Sequence, residues 1–483
     1  MNRATSFVPL ALSISILMTN PLNAQDRIDR TERPGPSGTP RIQLPKIQKA
    51  KLANRLDVWL VEKHELPVVA LNLVIQAGSD HDPIRKPGIA SMTADVIDEG
   101  TKTRDALKIA DELDFIGASL AVRSDVDGSS VTLHTITKRL NEALDVFADV
   151  LVNPTFPQAE FDRIRKQRET SLLQQKDRPP AIASNVFRHV LYGPNHPYGN
   201  DASGTEQSLK EMTREDLLDF YNTYYRPNNS VLIVVGDVTL SDITARLEKL
   251  LAGWTSAPAP DLTLPPIPPI QKRALYLVDK PGAAQSEIRI GYPAAARNTP
   301  DFFAINLMNR ILGGQYTSRI NLNLRERHGF TYGARSGFTF NKEPGPFVAS
   351  AGVATAKTDS SLQEFKYEID RMYQDGVTAD ELAFVKKGFA GNFALTFETA
   401  SQIAGALQNI VLYNLPENYY DQFLQNIDNV TMDEVQKTAR RYLDSSRMAF
   451  VVVGDVKTIR EGSEKLGLGE TVVCDADGNP VGQ

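Results

Sequence analysis

A duplicated α+β domain is the fold the sequence predicts, and three observations predict it. Residues 212–238 recur in register at 430–456: Thr213 with Thr431, Tyr224 with Tyr442, Gly236 with Gly454 and Asp237 with Asp455, each pair 218 positions apart. A connector at 255–272 carries six prolines and reads as an extended, fairly stiff boundary between two copies. On both sides of it the apolar residues switch between helical and strand spacing. Two copies at this distance mean a duplicated domain rather than a solenoid.

Taken in order, residues 1–24 hold Arg3, an apolar run at 7–18 and Asn23-Ala24-Gln25. That is the pattern of a signal peptide, with a single N-terminal anchor as the other reading. Residues 25–45 are polar and rich in Pro and Gly, and read as a flexible leader. The first domain is expected at 46–254. Strands are predicted at 56–61 and 68–76 around the turn His64-Glu65-Leu66-Pro67, with Val69, Leu71, Leu73 and Ile75 alternating as in a half-buried strand. Helices follow at 86–98 and 104–116, then strand at 119–136 with a turn at Asp127-Gly128. Further helices are predicted at 140–151, 158–175 and 216–225, the second ending at Asp177-Arg178-Pro179-Pro180, and a buried strand at 231–235. The second domain is expected at 273–467 and a tail at 468–483. The repeated Gly-Asp reads as a turn leaving the sheet.

Bulk composition narrows the function. The 53 basic and 59 acidic residues leave a net charge of −6, which gives no nucleic-acid footprint. No long apolar tract follows the N-terminus, so no membrane association is expected once the leader is cleaved. Cys474 is the only cysteine, so an exported fold must rest on packing without disulfides. The expected location is the periplasm or another exported compartment.

In the second domain, Ala304, Leu307, Met308 and Ile311 follow helical spacing up to Gly313-Gly314. Thr317 or Ser318 then stands where it caps a short helix whose Ile320 and Leu324 face inward. His328-Gly329 ends that helix and 330–340 reads as strand. Arg325 and Tyr332 thus flank a helix end, placed to point into one cleft. A guanidinium fork and a phenol donor there suit a peptide carbonyl and an oxyanion forming on it. Arg and Tyr are equally at home on a helix face and half buried in a sheet, so the residues alone leave both readings open.

This stretch, with Ser318-Arg319-Ile320 and then Leu324-Arg325-Glu326 before Gly329 and Tyr332, resembles the second half of the pitrilysin/insulysin (insulinase) family of zinc peptidases. The resemblance runs from about Arg41 to Gly467 and takes in Lys280-Pro-Gly-Ala-Ala-Gln-Ser286. It implies two homologous domains, each a mixed, mainly antiparallel sheet backed by helices, together forming half of a clamshell that closes on an unfolded peptide. It also implies that Arg325 and Tyr332 are the substrate-binding pair. The family's zinc helix reads Gly-x-Ala-His-x-x-Glu-His-x-x-x-x-Gly-Thr. Here Gly88, Ala90, Gly100 and Thr101 match, but Ser91 and Asp95 replace the two histidines and Ala94 the glutamate. Aligned on Asp177-Arg178-Pro179, Ser171 replaces the third ligand, a glutamate. One carboxylate cannot hold zinc against water. Ser91 and Asp95 read as the polar side of an amphipathic helix.

No other site is complete. The six histidines include no pair at i,i+4. Asp475-Ala-Asp-Gly-Asn479 resembles half a calcium loop without its glutamate, and Cys474 has no cationic neighbour. Tyr316 and His328 stand where they line the cleft or the surface. With the Arg–Tyr half present and the zinc half absent, the resemblance implies a substrate-binding, non-catalytic subunit of an exported heterodimeric zinc metallopeptidase. No cofactor is expected in this chain; zinc is expected in a partner homologue carrying His-x-x-Glu-His, with a peptide as substrate. A structural or peptide-holding scaffold is the alternative, and a stand-alone peptidase fits least.

Overall fold

The computed structural model describes residues 46–481, all within one compact unit; the expected signal peptide and the leader to residue 45 lie outside them. Two six-stranded sheets form, one in each half of the chain. The first contains β1 (Gln48–Lys51), β2 (Asp57–Glu62), β3 (Val68–Ile75), β4 (Ser119–Ser124), β5 (Ser129–Ile136) and β6 (Ser230–Gly236) in the order β1-β2-β6-β3-β5-β4. The second contains β7 (Ala274–Asp279), β8 (Gln285–Ala295), β9 (Thr331–Phe338), β10 (Gly345–Ala354), β11 (Ala449–Gly454) and β12 (Glu470–Cys474) in the order β12-β7-β11-β8-β10-β9. Both are mixed and mainly antiparallel, with β2 parallel to β6 and β7 parallel to both β11 and β12. Five of the six positions correspond strand for strand, from β2 and β7 to the edge strands β4 and β9. Only the strand at the opposite edge differs, supplied by the start of the chain in one sheet and by its end in the other. Residues 470–474, read from sequence as tail, are therefore an edge strand of the second sheet.

The repeat has a local cause. Thr213 and Thr431 each make a capping box, with Asp216 and Glu434, at the head of helices Arg214–Tyr224 and Met432–Tyr442. Each helix leads into a fully buried strand, β6 or β11. Gly236 closes β6 with φ 145°, where a Cβ would stand 2.2 Å from the Val68 carbonyl oxygen. Only glycine fits that approach.

The main departure from the sequence reading is β3, which is buried on both faces rather than half buried. Val69, Leu71, Leu73 and Ile75 enter the core under the N-terminal half's own helices. The other face is covered by helix Ala400–Leu412 of the C-terminal half, whose Ile403, Leu407 and Ile410 pack on Val61, Val74, Ile233 and Val235. Asn72 on that face donates to Gln408 Oε1 at 2.7 Å. The second sheet is treated the same way in reverse. Helix Pro179–Tyr192 of the N-terminal half lays Ile182, Val186, Phe187 and Leu191 on Val278, Val451 and Val453. Its opening Pro179-Pro180, read from sequence only as the stop of Gln158–Gln175, is the start of a new helix, since proline's missing N–H costs nothing there. Each sheet is thus sandwiched between its own helices and one from the other half.

Candidate functional site

Helix Phe302–Leu312 ends at Gly313-Gly314, and the turn lies against the outer edge of β9. A Cβ on Gly313 would come within 2.3 Å of the Ser336 nitrogen, which donates to the Gly313 carbonyl at 3.0 Å. Glycine is required by that close approach. The chain then makes a short α-turn, Arg319–Asn321, that widens into a π-helix over Leu322–Arg327. Ile320 and Leu324 are fully buried, as their spacing predicts. Ser318 takes the N-cap position, but its hydroxyl makes no cap bond. The entry is fixed instead by Asn321, which donates to the Tyr316 carbonyl at 2.7 Å, and by Arg319. The latter is buried and donates to both carboxylate oxygens of Glu381 at 2.7 Å and to the Gly376 carbonyl.

Arg325 sits in the π-turn, where the widened backbone re-aims side chains. Its guanidinium lies 4.9 Å from the Tyr316 ring and 3.4 Å from Glu326 Oε1, the oxygen that also accepts from Tyr316 Oη at 2.9 Å. That hydrogen bond raises the Tyr316 phenol above its ordinary pKa. Arg325 and Tyr316 line a cleft of about 670 Å³ whose floor is the face of β8, β10 and β9. Tyr332 stands beside it in a β-bulge. Thr331 pairs with Val353 and Ala334 with Ala351, so Tyr332 and Gly333 together oppose Gly352. The Thr331 hydroxyl pins the bulge by donating to the Gly352 carbonyl at 2.7 Å. Gly333 lines the cleft, while the Tyr332 side chain stands in solvent at its margin, 90% exposed. The structure therefore places Arg325 and Tyr316 in the lining of the cleft, whereas Tyr332, expected to point into the same cleft, is not part of that lining and stands beside it in solvent. His328 lies outside the cleft lining, stacked on Phe330.

The zinc-helix positions fall on helix Ile89–Val96, which is buried except at Ser91 and Asp95. Those two residues do more than form a polar side. Arg168, on helix Gln158–Gln175, donates to Ser91 Oγ at 2.7 Å and to Asp95 Oδ2 at 2.6 Å. Its side chain is only 11% exposed. A permanent cation thus bridges the positions where the family's motif has its two imidazoles. Ala94 is buried and offers no proton acceptor; Ser171, one turn beyond Arg168, is exposed. One carboxylate already committed to a guanidinium does not fit zinc. Nearby, Asp82 accepts from the Gly88 and Ala90 N–H groups, and burial pushes its carboxyl up to about 7. Nothing in the sequence singles out Arg168, which shares its helix with the cations Arg163, Arg165 and Lys166. Arg168→Gln is expected to lower stability by about 1–2 kcal/mol, because the ion pair is partly solvated, with little change in fold. Urea unfolding of the variant beside the parent measures it.

Among the described residues, no three His, Cys, Asp or Glu side chains converge to hold a metal. His81 is bound to Asp80 at 2.5 Å and His64 to Asp237 and Glu62. Asp475 Oδ1 accepts from the Asp477 and Asn479 N–H groups, which closes that turn on itself. Cys474 is buried, which pushes its thiol up to about 11.

The chain matches two family profiles: residues 57–194 match "Insulinase (Peptidase family M16)" and residues 211–389 match "Peptidase M16 inactive domain". A relative named non-peptidase homolog YmxG, from Helicobacter pylori, is 24% identical over 409 residues, covering 83% of this chain and 93% of its own. A Bacillus subtilis relative named uncharacterized zinc protease YmxG is 23% identical, covering 82% and 95%. A solved structure described as a peptidase M16 inactive domain from Pseudomonas fluorescens superposes with TM-score 0.79 at 28% identity, over 84% of this chain and 98% of that one.

Proposed function

Because this chain belongs to the insulinase family of peptidases, M16, and matches its inactive type, we propose that it is the substrate-binding, non-catalytic subunit of an exported heterodimeric zinc metallopeptidase. The observation that carries the reading is an asymmetry between its two halves. The Arg325 cleft is open, with an unengaged phenol at its rim. The zinc-helix positions are closed by Arg168. In the mixed complex, Arg325 grips a carbonyl of a stretched peptide and Tyr332 donates to the oxyanion that forms on it. The partner homologue, carrying His-x-x-Glu-His, supplies the zinc and the rest of the chemistry. Peptides or unfolded polypeptides are the substrates, and the two chains close on them as the halves of a clamshell. A scaffold with no part in proteolysis is the alternative; it has no use for the free phenol, which favours the first reading.

The test isolates the chain from its native compartment, identifies what co-purifies and measures zinc in each species. The expected result is a homologue carrying the zinc motif, with zinc found in the pair and not in the separated chain. Zinc near one per isolated monomer sinks the proposal, and so does the absence of any such homologue.

A further inference from the structure

The cleft around Arg325 departs in charge from the rest of the chain. Although the whole protein carries −6, the charged side chains lining this cleft are Arg289, Arg325, Arg335 and a single glutamate, Glu287. Strand register sets two of the arginines in one row. Ser350 of the middle strand β10 pairs with Arg289 of β8 on one side and with Arg335 of β9 on the other. Two strand spacings, about 10 Å, separate them across the floor. The next row contains Glu287 opposite Gly352, followed by Gly333, where a Cβ would meet nothing nearer than Asn321 Oδ1 at 4.0 Å. A Cβ on Gly352 would stand 2.6 Å from Glu287 Oε1, so the glycine leaves room for that carboxylate. Glu287 is occupied: its Oε2 pairs with Arg289 Nη1 at 3.1 Å, both side chains being 13% exposed. Arg325 leans on Tyr316 and Glu326. Arg335 is exposed and, among the described residues, has no carboxylate partner.

Resting on the peptide-binding role proposed above, we infer that this cleft selects peptide segments bearing a carboxylate, and that Arg335, backed by Arg289, is the specificity-determining residue that receives it. The floor admits an extended chain over Gly333, with Arg325 placed for a backbone carbonyl. A guanidinium with an unused fork then faces a side chain or chain end of that same segment. Carboxylate is the ion that fills such a fork with two parallel hydrogen bonds. Within a concave site the excess positive potential is focused, so acidic segments also arrive faster. The same chemistry comes from an internal Asp or Glu or from a peptide's own C-terminus. Charge on the edge strand β9 solely to prevent strand pairing is the competing account of Arg335.

The experiment uses the full mature chain and fluorescein-labelled extended peptides in an anisotropy titration. The peptides carry two central glutamates, two central glutamines, or no acidic residue with either a free or an amidated C-terminus. The glutamate peptide is expected to bind about tenfold tighter than the glutamine peptide, the scale of one hydrogen-bonded charge pair. Arg335→Gln is expected to bring the two peptides to equal affinity, and Arg335→Lys to restore part of the preference. A preference only for the free C-terminus, lost on amidation and in Arg335→Gln, supports the carboxylate reading with the chain end as source. Equal binding of all peptides, or a preference that survives Arg335→Gln, overturns this inference and leaves the peptide-binding role standing. No binding of any peptide overturns both.

Discussion

If the proposed complex with a zinc-bearing homologue forms, Tyr332→Phe within it is expected to lower turnover by about 10²–10³ while the two chains still assemble. That is the usual cost of removing one donor aimed at a developing oxyanion. The position makes the test clean. The side chain is 90% exposed, so the fold loses almost nothing when the hydroxyl goes. The bulge that presents it is pinned by Thr331 and Gly352, not by the phenol. Because charge on the carbonyl oxygen builds only as the bond is attacked, the loss belongs in kcat. Arg325→Ala should behave differently: in the proposed role its guanidinium meets the ground-state carbonyl, so its loss should raise KM first. Unchanged kcat in Tyr332→Phe, measured on a complex shown to be intact, would remove the assisting role.

The parts of this molecule that were legible in the sequence are those fixed by local chemistry. The duplication shows because a capping box, a buried strand and a Gly-Asp exit are each written within a few residues, at Thr213 to Asp237 and again at Thr431 to Asp455. What escaped is set by pairings far apart in the chain. Arg168 meets Asp95 across 73 positions, and no periodicity marks that contact. The edge strands β1 and β12 are short, and each is held as a strand by its neighbour. At the site itself, the π-turn under Arg325 and the bulge under Tyr332 are irregularities of the backbone. Spacing rules assume regular helix and strand, so they place the two residues near one opening without giving the aim of either.

Cutting the chain in its proline-rich connector is expected to leave the two halves bound to each other. A protease site engineered at 261–263, where the connector is exposed, should yield two fragments that co-elute and unfold in one transition. The reason is the exchange of helices. If the halves parted, the first sheet would lose Ile403, Leu407 and Ile410 from one face and expose Val61, Val74, Ile233 and Val235. The second would lose Val186, Phe187 and Leu191 from above Val278, Val451 and Val453. Surfaces of that kind belong to obligate interfaces, not to hinged domains. Polar contacts add direction to the joint. Asp127 accepts from Tyr198 Oη at 2.7 Å and from the Lys342 N–H at 2.9 Å, and Lys342 Nζ donates to the Asp127 carbonyl at 2.7 Å. The matching substitution is Phe187→Ala, which should cost about 3–5 kcal/mol, because the ring is 4% exposed and packs between the two halves. That loss should appear as one lowered transition for both sheets, followed by urea unfolding of the intact chain. Fragments that separate after cleavage, or a variant in which one sheet unfolds well before the other, would show that the connector rather than the exchanged helices holds the halves together.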